Sequence, residues 1–318
     1  MANVAVSVAH ISKAYGTFKA VSDLSFEVYS GEIFAMLGPN GAGKSTTIRM
    51  IVDILKPDTG EITVLGGKLD DARKDRLGYL PEERGLYRNV PVIEMMTYLG
   101  ELKGMAHNAA KTRSMQLLEQ LELGDVAKKK VSELSKGMQQ KVQFAVTVLH
   151  NPDLIIVDEP FSGLDPVNTL VIKDLITEFK NNGGAVVMST HQMYQVEEMA
   201  NRLLMINRGA QALYGTVQEV RGRYALPALL VEGEGEWSAL TTVDRVEKLT
   251  DTEGSNKAGI LLFVKPDMTT DDVLAEIVGR GGFHMARFEK AIPSLNDIFI
   301  RVAEGDDMPA LEALEATA

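Results

Sequence analysis

Short apolar runs bounded by turn signals alternate with helical spacing through the first two-thirds of the chain. Ile33–Leu37 reads as a buried strand and residues 46–55 as the helix that follows it. Pro57-Asp58-Thr59-Gly60 forms a turn into the segment at 61–65. The runs at 154–157 and Ala185–Ser189 have the composition of strands buried on both faces of a parallel sheet. That alternation predicts an α/β fold. Between about 92 and 150 the strand pattern stops, and Leu117, Leu118, Leu121 and the run at 142–149 repeat with helical spacing, which predicts a helical subdomain.

After Gly215 the pattern breaks. Residues 217–227, with Arg221-Gly222-Arg223 among them, read as a connector, and the expected boundary lies near Tyr224. Beyond it, apolar runs at 228–231, Val243–Leu249, 260–264 and 283–288, together with two helices, predict a small α+β unit. In the second of those helices Ser294 and Asp297 have capping-box spacing, and Leu295, Ile298, Phe299 and Val302 share one face. The expected organisation is therefore residues 1–224 followed by residues 225–318.

Composition narrows the class. The 318 residues suit one large domain plus a small one, and 45% hydrophobic with 24% charged residues supports packed cores. No apolar run approaches the ~20 residues of a spanning helix, so a membrane role has to come through a partner. The first residues, Met1-Ala2-Asn3-Val4-Ala5-Val6, lack the basic stretch and apolar core of a secretion signal. Cysteine is absent, which excludes disulfides, thiol catalysis and Cys-bound metal and fits a reducing cytoplasm. The net charge of −11 is concentrated in the second unit, where 8 Lys and Arg face 18 Asp and Glu. So acidic a unit argues against nucleic acid as a ligand.

The chemistry begins at Gly38-Pro39-Asn40-Gly41-Ala42-Gly43-Lys44-Ser45, which fits the phosphate-binding loop and stands where it must, after a buried strand and before a helix. Its glycines let backbone N–H groups curl toward phosphate oxygens, Lys44 suits the β and γ phosphates, the Ser45 hydroxyl suits Mg, and Thr46 continues the cradle. Asp158 and Glu159 close the strand at 154–157, at the end where such sheets bind ligands. Successive side chains point apart, so Asp158 suits Mg and Glu159 suits the general base that activates water. Leu134-Ser135-Lys136-Gly137-Met138 precedes another helix, making Ser135 and Gly137 a second potential anion site. Ser162-Gly163-Leu164-Asp165 follows the carboxylate strand, and Ser189-Thr190-His191 ends the next.

In this order and spacing, over about residues 4–220, the motifs resemble the ATP-binding cassette ATPases of membrane transporters. The resemblance implies that the loop from Gly38 to Ser45 is the Walker A loop, that Asp158 and Glu159 close Walker B, that 134–138 is the signature, that Asp165 lies in the D-loop and that His191 is the switch histidine. Tyr15 matches the aromatic that stacks on adenine; an edge-strand aromatic is the other reading of it. The family also implies ATP and Mg as ligands, a head-to-tail dimer with an identical or different second cassette, separate integral membrane subunits, and a place on the inner face of the cell membrane.

Two positions depart from the family pattern. Glu82, in Leu80-Pro81-Glu82-Glu83, stands where Gln is usual, and Lys136-Gly137-Met138 stands where Gly-Gly-Gln is usual. Ionised Glu82 still offers an oxygen to Mg. Pro81-Glu82-Glu83-Arg84-Gly85-Leu86-Tyr87 is similar to the exporter branch that includes drug-resistance and sodium-extrusion ATPases, and the last unit resembles their C-terminal extension. The leading expectation is a transport ATPase. The alternative is a non-hydrolysing ATP sensor or structural module, favoured by Met138 and Glu82 and opposed by Glu159 and His191. A guanine-specific Asn-Lys-x-Asp motif is missing, the nearest stretch being Asn256-Lys257-Ala258-Gly259.

Overall fold

The computed structural model describes residues 3–83, 85–249 and 259–304. Arg84, the Asn256-Lys257-Ala258 stretch and the Glu- and Ala-rich tail after Glu304 lie outside the described residues. Two compact units divide the chain, Met1–Val217 and Gln218–Ala318.

The first unit opens with two long strands, β1 (Val4–Tyr15) and β2 (Phe18–Tyr29), joined by a tight turn at Gly16. Next come β3 (Ile33–Leu37), α1 (Lys44–Ile51), β4 (Thr59–Val64), α2 (Asp71–Lys74) and β5 (Leu77–Leu80). α1 is shorter than its apolar spacing suggests. It starts already at Lys44 and stops at Ile51, beyond which Asp53 turns left-handed with φ 64°.

Strands β2, β1 and β4 make an antiparallel sheet. A second sheet is completed by β6 (Leu154–Asp158), β7 (Ala185–Ser189), β8 (Arg202–Asn207) and β9 (Ala210–Thr216), in the order β5-β6-β7-β3-β8-β9. All its neighbours are parallel except β8 and β9. In that order β7 separates β6 from β3, so the C-terminal ends of these three strands stand side by side. One core serves both sheets: Phe26 of β2 stacks on Phe34 of β3 at 5.3 Å, and Ile48 and Ile51 of α1 are fully buried in the same cluster. Each such side chain contributes about 1.5–3 kcal/mol of burial.

The helical subdomain consists of α3 (Val92–Leu102), α4 (His107–Gln120) and α5 (Lys136–Val148), packed on a core that includes Met96, Leu118, Val131 and Val142. Two helices, α6 (Pro166–Asn181) and α7 (Met193–Met199), follow β6 and β7.

The stretch expected to be a connector is instead a helix, α8 (Val217–Arg223). Val220 is fully buried and Arg221 Nε donates to the Pro293 carbonyl at 3.0 Å, which ties α8 to the second unit; the division therefore falls at the start of this helix rather than near Tyr224. The second unit is an antiparallel sheet of β10 (Ala228–Glu234), β11 (Val243–Leu249), β12 (Gly259–Val264), α9 (Thr270–Arg280) packed upon it, and β13 (His284–Lys290), in strand order β11-β12-β10-β13. Val273 and Ile277 of α9 bury against Leu229, Val231 and Leu262, with Trp237 in the same cluster. α10 (Leu295–Glu304) begins with the Ser294–Asp297 box: Asp297 N donates to Ser294 Oγ at 3.2 Å and Ser294 N to Asp297 Oδ2 at 3.1 Å. Leu295, Ile298 and Val302 are buried, and Phe299 is half-buried. Among the described residues no helix is long and apolar enough to cross a membrane.

Candidate functional site

The loop after β3 is shaped by close backbone approach. A Cβ on Gly38 (φ 149°) would stand 2.3 Å from the Ile206 carbonyl oxygen, and one on Gly43 (φ 113°) 2.4 Å from that of Ala20. Both obstacles are backbone, so glycine is required at each. Gly43 is the N-cap of α1 and brings no side-chain acceptor, so the helix presents its first N–H groups uncapped.

Lys44 is buried, and its ammonium donates to the Gly38 carbonyl at 2.7 Å and the Pro39 carbonyl at 3.3 Å. Burial pushes its pKa below the ordinary lysine value, opposed by the negative charges of Glu159, Asp158 and Glu82. With neutral carbonyls as its only direct partners among the described residues, this cation is poised for an anion.

Across the cleft β6 ends in Asp158 and Glu159 follows it directly, both buried. Asp158 lies level with Ser189 of β7, whose hydroxyl donates to Asp158 Oδ1. Glu159 turns left-handed (φ 49°), and its N–H donates to the Ser189 carbonyl at 3.0 Å. A non-glycine residue in that region costs about 1–3 kcal/mol. The turn throws the Glu159 carboxylate toward the end of β7, where Oε1 accepts from His191 Nδ1 at 2.8 Å and Oε2 from the Thr190 hydroxyl at 3.4 Å. A carboxylate only accepts, so His191 carries its proton on Nδ1 in this contact.

One cleft is thus lined by Tyr15, Asn40, Gly41, Ala42, Gly43, Lys44, Ser45, Thr46, Glu82, Asp158, Glu159 and His191. Of the expected residues Gly38 is not among its walls, its carbonyl lying under Lys44, and neither are Ser135, Gly137 and Asp165. Ser135 caps α5, its Oγ accepting from Met138 N at 3.2 Å, and a Cβ on Gly137 would meet Asn168 Nδ2 at 2.7 Å. Asp165 caps α6, accepting from Asn168 N at 2.9 Å; the backbone and side chain of Asn168 hold its carboxyl below the ordinary value. These three residues therefore sit together at the start of α5 and α6.

Sequence reasoning missed Phe18, which joins Tyr15 in lining the cleft and is 61% exposed. Its cross-strand pairing with Tyr15 around the Gly16 turn was the available signal. Among the described residues no three His, Cys, Asp or Glu side chains are spaced to hold a metal alone. Ser45, Glu82 and Asp158 are nevertheless all hard oxygen donors, a set that suits Mg shared with phosphate and water.

Over residues 21–162 the chain matches the family model described as ABC transporter, and over 215–303 the one described as ATP-binding protein DrrA1-3-like, C-terminal domain. It is 40% identical to an uncharacterized ABC transporter ATP-binding protein of Alkalihalophilus pseudofirmus, across 83% of this chain and 97% of that one. Identity is 36% with the linearmycin resistance ATP-binding protein of Bacillus subtilis, across 67% of this chain and 70% of that one. It is 30% with the Nod factor export ATP-binding protein I of a Rhizobium species, across 95% and 98%. A solved structure of an ATP-binding subunit of an ABC transporter matches with a TM-score of 0.65 at 30% identity, covering 69% of this chain and 92% of that one.

Proposed function

This chain belongs to the ATP-binding proteins of ABC transporters, and from that premise we propose that it hydrolyses Mg-ATP to drive an exporter whose membrane-spanning subunits are separate chains. The observation that carries the reading is the Glu159 carboxylate, buried at the cleft opposite Lys44 and held by His191 at 2.8 Å. A carboxylate so placed serves as a general base toward water.

In this account the N–H groups of Gly41, Gly43, Lys44, Ser45 and Thr46, with Asn40 and Ala42 shaping the loop, bind phosphate oxygens, and Lys44 exchanges its carbonyl partners for the β and γ phosphates. Tyr15, with Phe18, stacks on the base. Ser45, Asp158 and Glu82 are the groups that would hold Mg, which when bound neutralises phosphate charge. Glu159 orients water and takes its proton. His191 holds Glu159 through Nδ1 and keeps Nε2 for the γ-phosphate.

Ser135, Gly137 and Asp165, grouped away from the cleft, act on the nucleotide of a second cassette, identical or different, in a head-to-tail dimer. Two separated anion sites on one chain become one complete site when two chains face each other. The protein would then lie at the inner face of the cell membrane, attached through its membrane partners. Tyr87 suits that attachment. Val92 and Met96 are fully buried and Leu86, Val90 and Ile93 lean on the same core, whereas Tyr87 stays 51% exposed with its ring 6.1 Å from that of the exposed Tyr98. Among the described residues the acidic second unit holds none that line the cleft, and it is assigned a regulatory or dimer-supporting role.

The test is phosphate release by the purified full-length chain with ATP, with and without Mg. Mg-dependent release supports the reading; tight ATP binding with no release under any dimerising condition would instead support the non-hydrolysing module.

A further inference from the structure

Two buried glutamines on α5 reach loops that border the cleft from outside it. Gln140 and Gln143 are 6% and 5% exposed, and at a spacing of three residues they share one face of the helix. Gln140 Nε2 donates to the Pro160 carbonyl at 3.2 Å, and Gln143 Nε2 donates to the Pro81 carbonyl at 3.2 Å. Pro160 directly follows Glu159, and Pro81 directly precedes Glu82. The two loops are neighbours because β5 and β6 pair in parallel, with Leu80 level with Val157.

The same helix starts at Ser135 and Gly137. There it touches Asn168, which is bonded to Asp165 at the head of α6. α5 is thus a rigid rod with the signature residues at its N-terminus and, within its next two turns, direct grips on the backbone beside Glu159 and beside Glu82.

Packing alone does not explain this pair. An amide buried at a core position costs free energy unless its groups are paired, and Gln143 Oε1 has no partner among the described residues. An apolar side chain of equal volume would fill the position without that orphan acceptor. What the glutamines add is a directional bond to a specific carbonyl.

We infer that Gln140 and Gln143 are positioning residues that couple the orientation of α5 to the Glu159 and Glu82 loops of the same chain. The inference rests on the proposed ATPase reading and deepens it. When the N-terminus of α5 engages a nucleotide held by the second subunit, the resulting shift of the helix reaches its own cleft through these two bonds. Each site then senses the occupancy of the other. Displacements of about 1 Å at a reacting group change rates by up to ~100-fold, so small movements suffice.

The experiment uses the full-length chain with Gln140→Met, Gln143→Met and the double variant, which keep volume and remove the amide. Hydrogen–deuterium exchange is followed without nucleotide in peptides spanning 78–83 and 158–163, alongside melting temperature, ATP affinity, and the kcat, KM and Hill coefficient of hydrolysis. The expected result is faster exchange in the gripped loop of each single variant, with melting temperature and KM near wild type, kcat lowered about tenfold, and a Hill coefficient falling toward one in the double variant. Unchanged loop exchange and wild-type kcat in folded variants would overturn the inference, as would parallel losses of melting temperature, affinity and kcat, which mark a core defect. Absence of hydrolysis by the wild-type chain is a failure of the ATPase reading instead, and the exchange measurement still decides whether the glutamines hold the loops.

Discussion

His191 Nδ1 lies 2.8 Å from Glu159 Oε1, and the contact joins the ends of two neighbouring strands, β6 and β7. The histidine side chain is 56% exposed while that of the glutamate is 8% exposed. Both partners line the cleft, the histidine exposed and the glutamate buried. His191→Ala frees a carboxylate that Thr190 holds only at 3.4 Å. The expected outcome is a loss in kcat of about 10–100-fold with ATP affinity within about threefold of wild type, read from steady-state kinetics and equilibrium binding.

Lys44 gives the opposite signature. Its ammonium is buried and, among the described residues, bonded to the carbonyl oxygens of Gly38 and Pro39, so phosphate would replace weak partners with a charge-assisted bond. Lys44→Ala should weaken ATP binding by about 1.5–3 kcal/mol, or roughly 10–150-fold. Equilibrium titration with a fluorescent ATP analogue checks this, and unchanged affinity would count against the phosphate assignment of the loop.

Tyr87 offers a surface test. Tyr87→Asp places a charge beside the exposed Tyr98 ring without entering the subdomain core. Transport in a reconstituted complex should fall to background while the ATPase activity of the isolated subunit stays at the wild-type level. Equal loss of both activities would indicate a purely internal role for the residue.

Acid should destabilise the first unit through His150. Its Nε2 faces the Leu77 carbonyl at 3.2 Å and must therefore carry the proton, while Nδ1 is buried without a partner among the described residues. Burial and the nearby Lys103 ammonium lower its pKa to about 4 from an ordinary 6.5. Between those values the unfolded chain binds the extra proton and the folded chain does not. Stability is thus complete above pH 6.5 and is lost as pH falls toward 4. Allowing for a partly wet ring, the loss from pH 7 to pH 5 is about 1–2 kcal/mol. Denaturant unfolding of wild type and His150→Gln at both pH values checks this, because Gln can donate to Leu77 without titrating and should flatten the dependence.

The grouping of Lys44, Asp158, Glu159 and His191 in one cleft was legible because each residue ends or follows a short apolar strand: Lys44 after β3, Asp158 and Glu159 at the end of β6, His191 after β7. What the chain order could not reveal was that β7 stands between β6 and β3, which brings the three ends together. Strands β1 and β2 escaped a periodic reading because bulges near Ile11 and Lys13, and left-handed residues at His10 and Asp23, break the alternation. α8 was hidden by its composition, since Gly222 and the polar Gln218, Glu219 and Arg221 leave Val220 as its one fully buried apolar side chain. The grips of Gln140 and Gln143 depend on tertiary approach to Pro160 and Pro81, and no local pattern encodes them.

The central claim is that Glu159 is the base of a Mg-dependent ATPase, and Glu159→Gln tests it most directly. The substitution keeps the shape of the side chain and the contacts of Lys44 to phosphate, and removes the proton acceptor. Phosphate release is compared between wild type and the variant at saturating ATP and Mg, with ATP affinity and oligomeric state measured on the same samples. The account predicts ATP affinity within about threefold of wild type, hydrolysis reduced about 100-fold or more, and an ATP-bound dimer that accumulates. Hydrolysis by Glu159→Gln at the wild-type rate would contradict it.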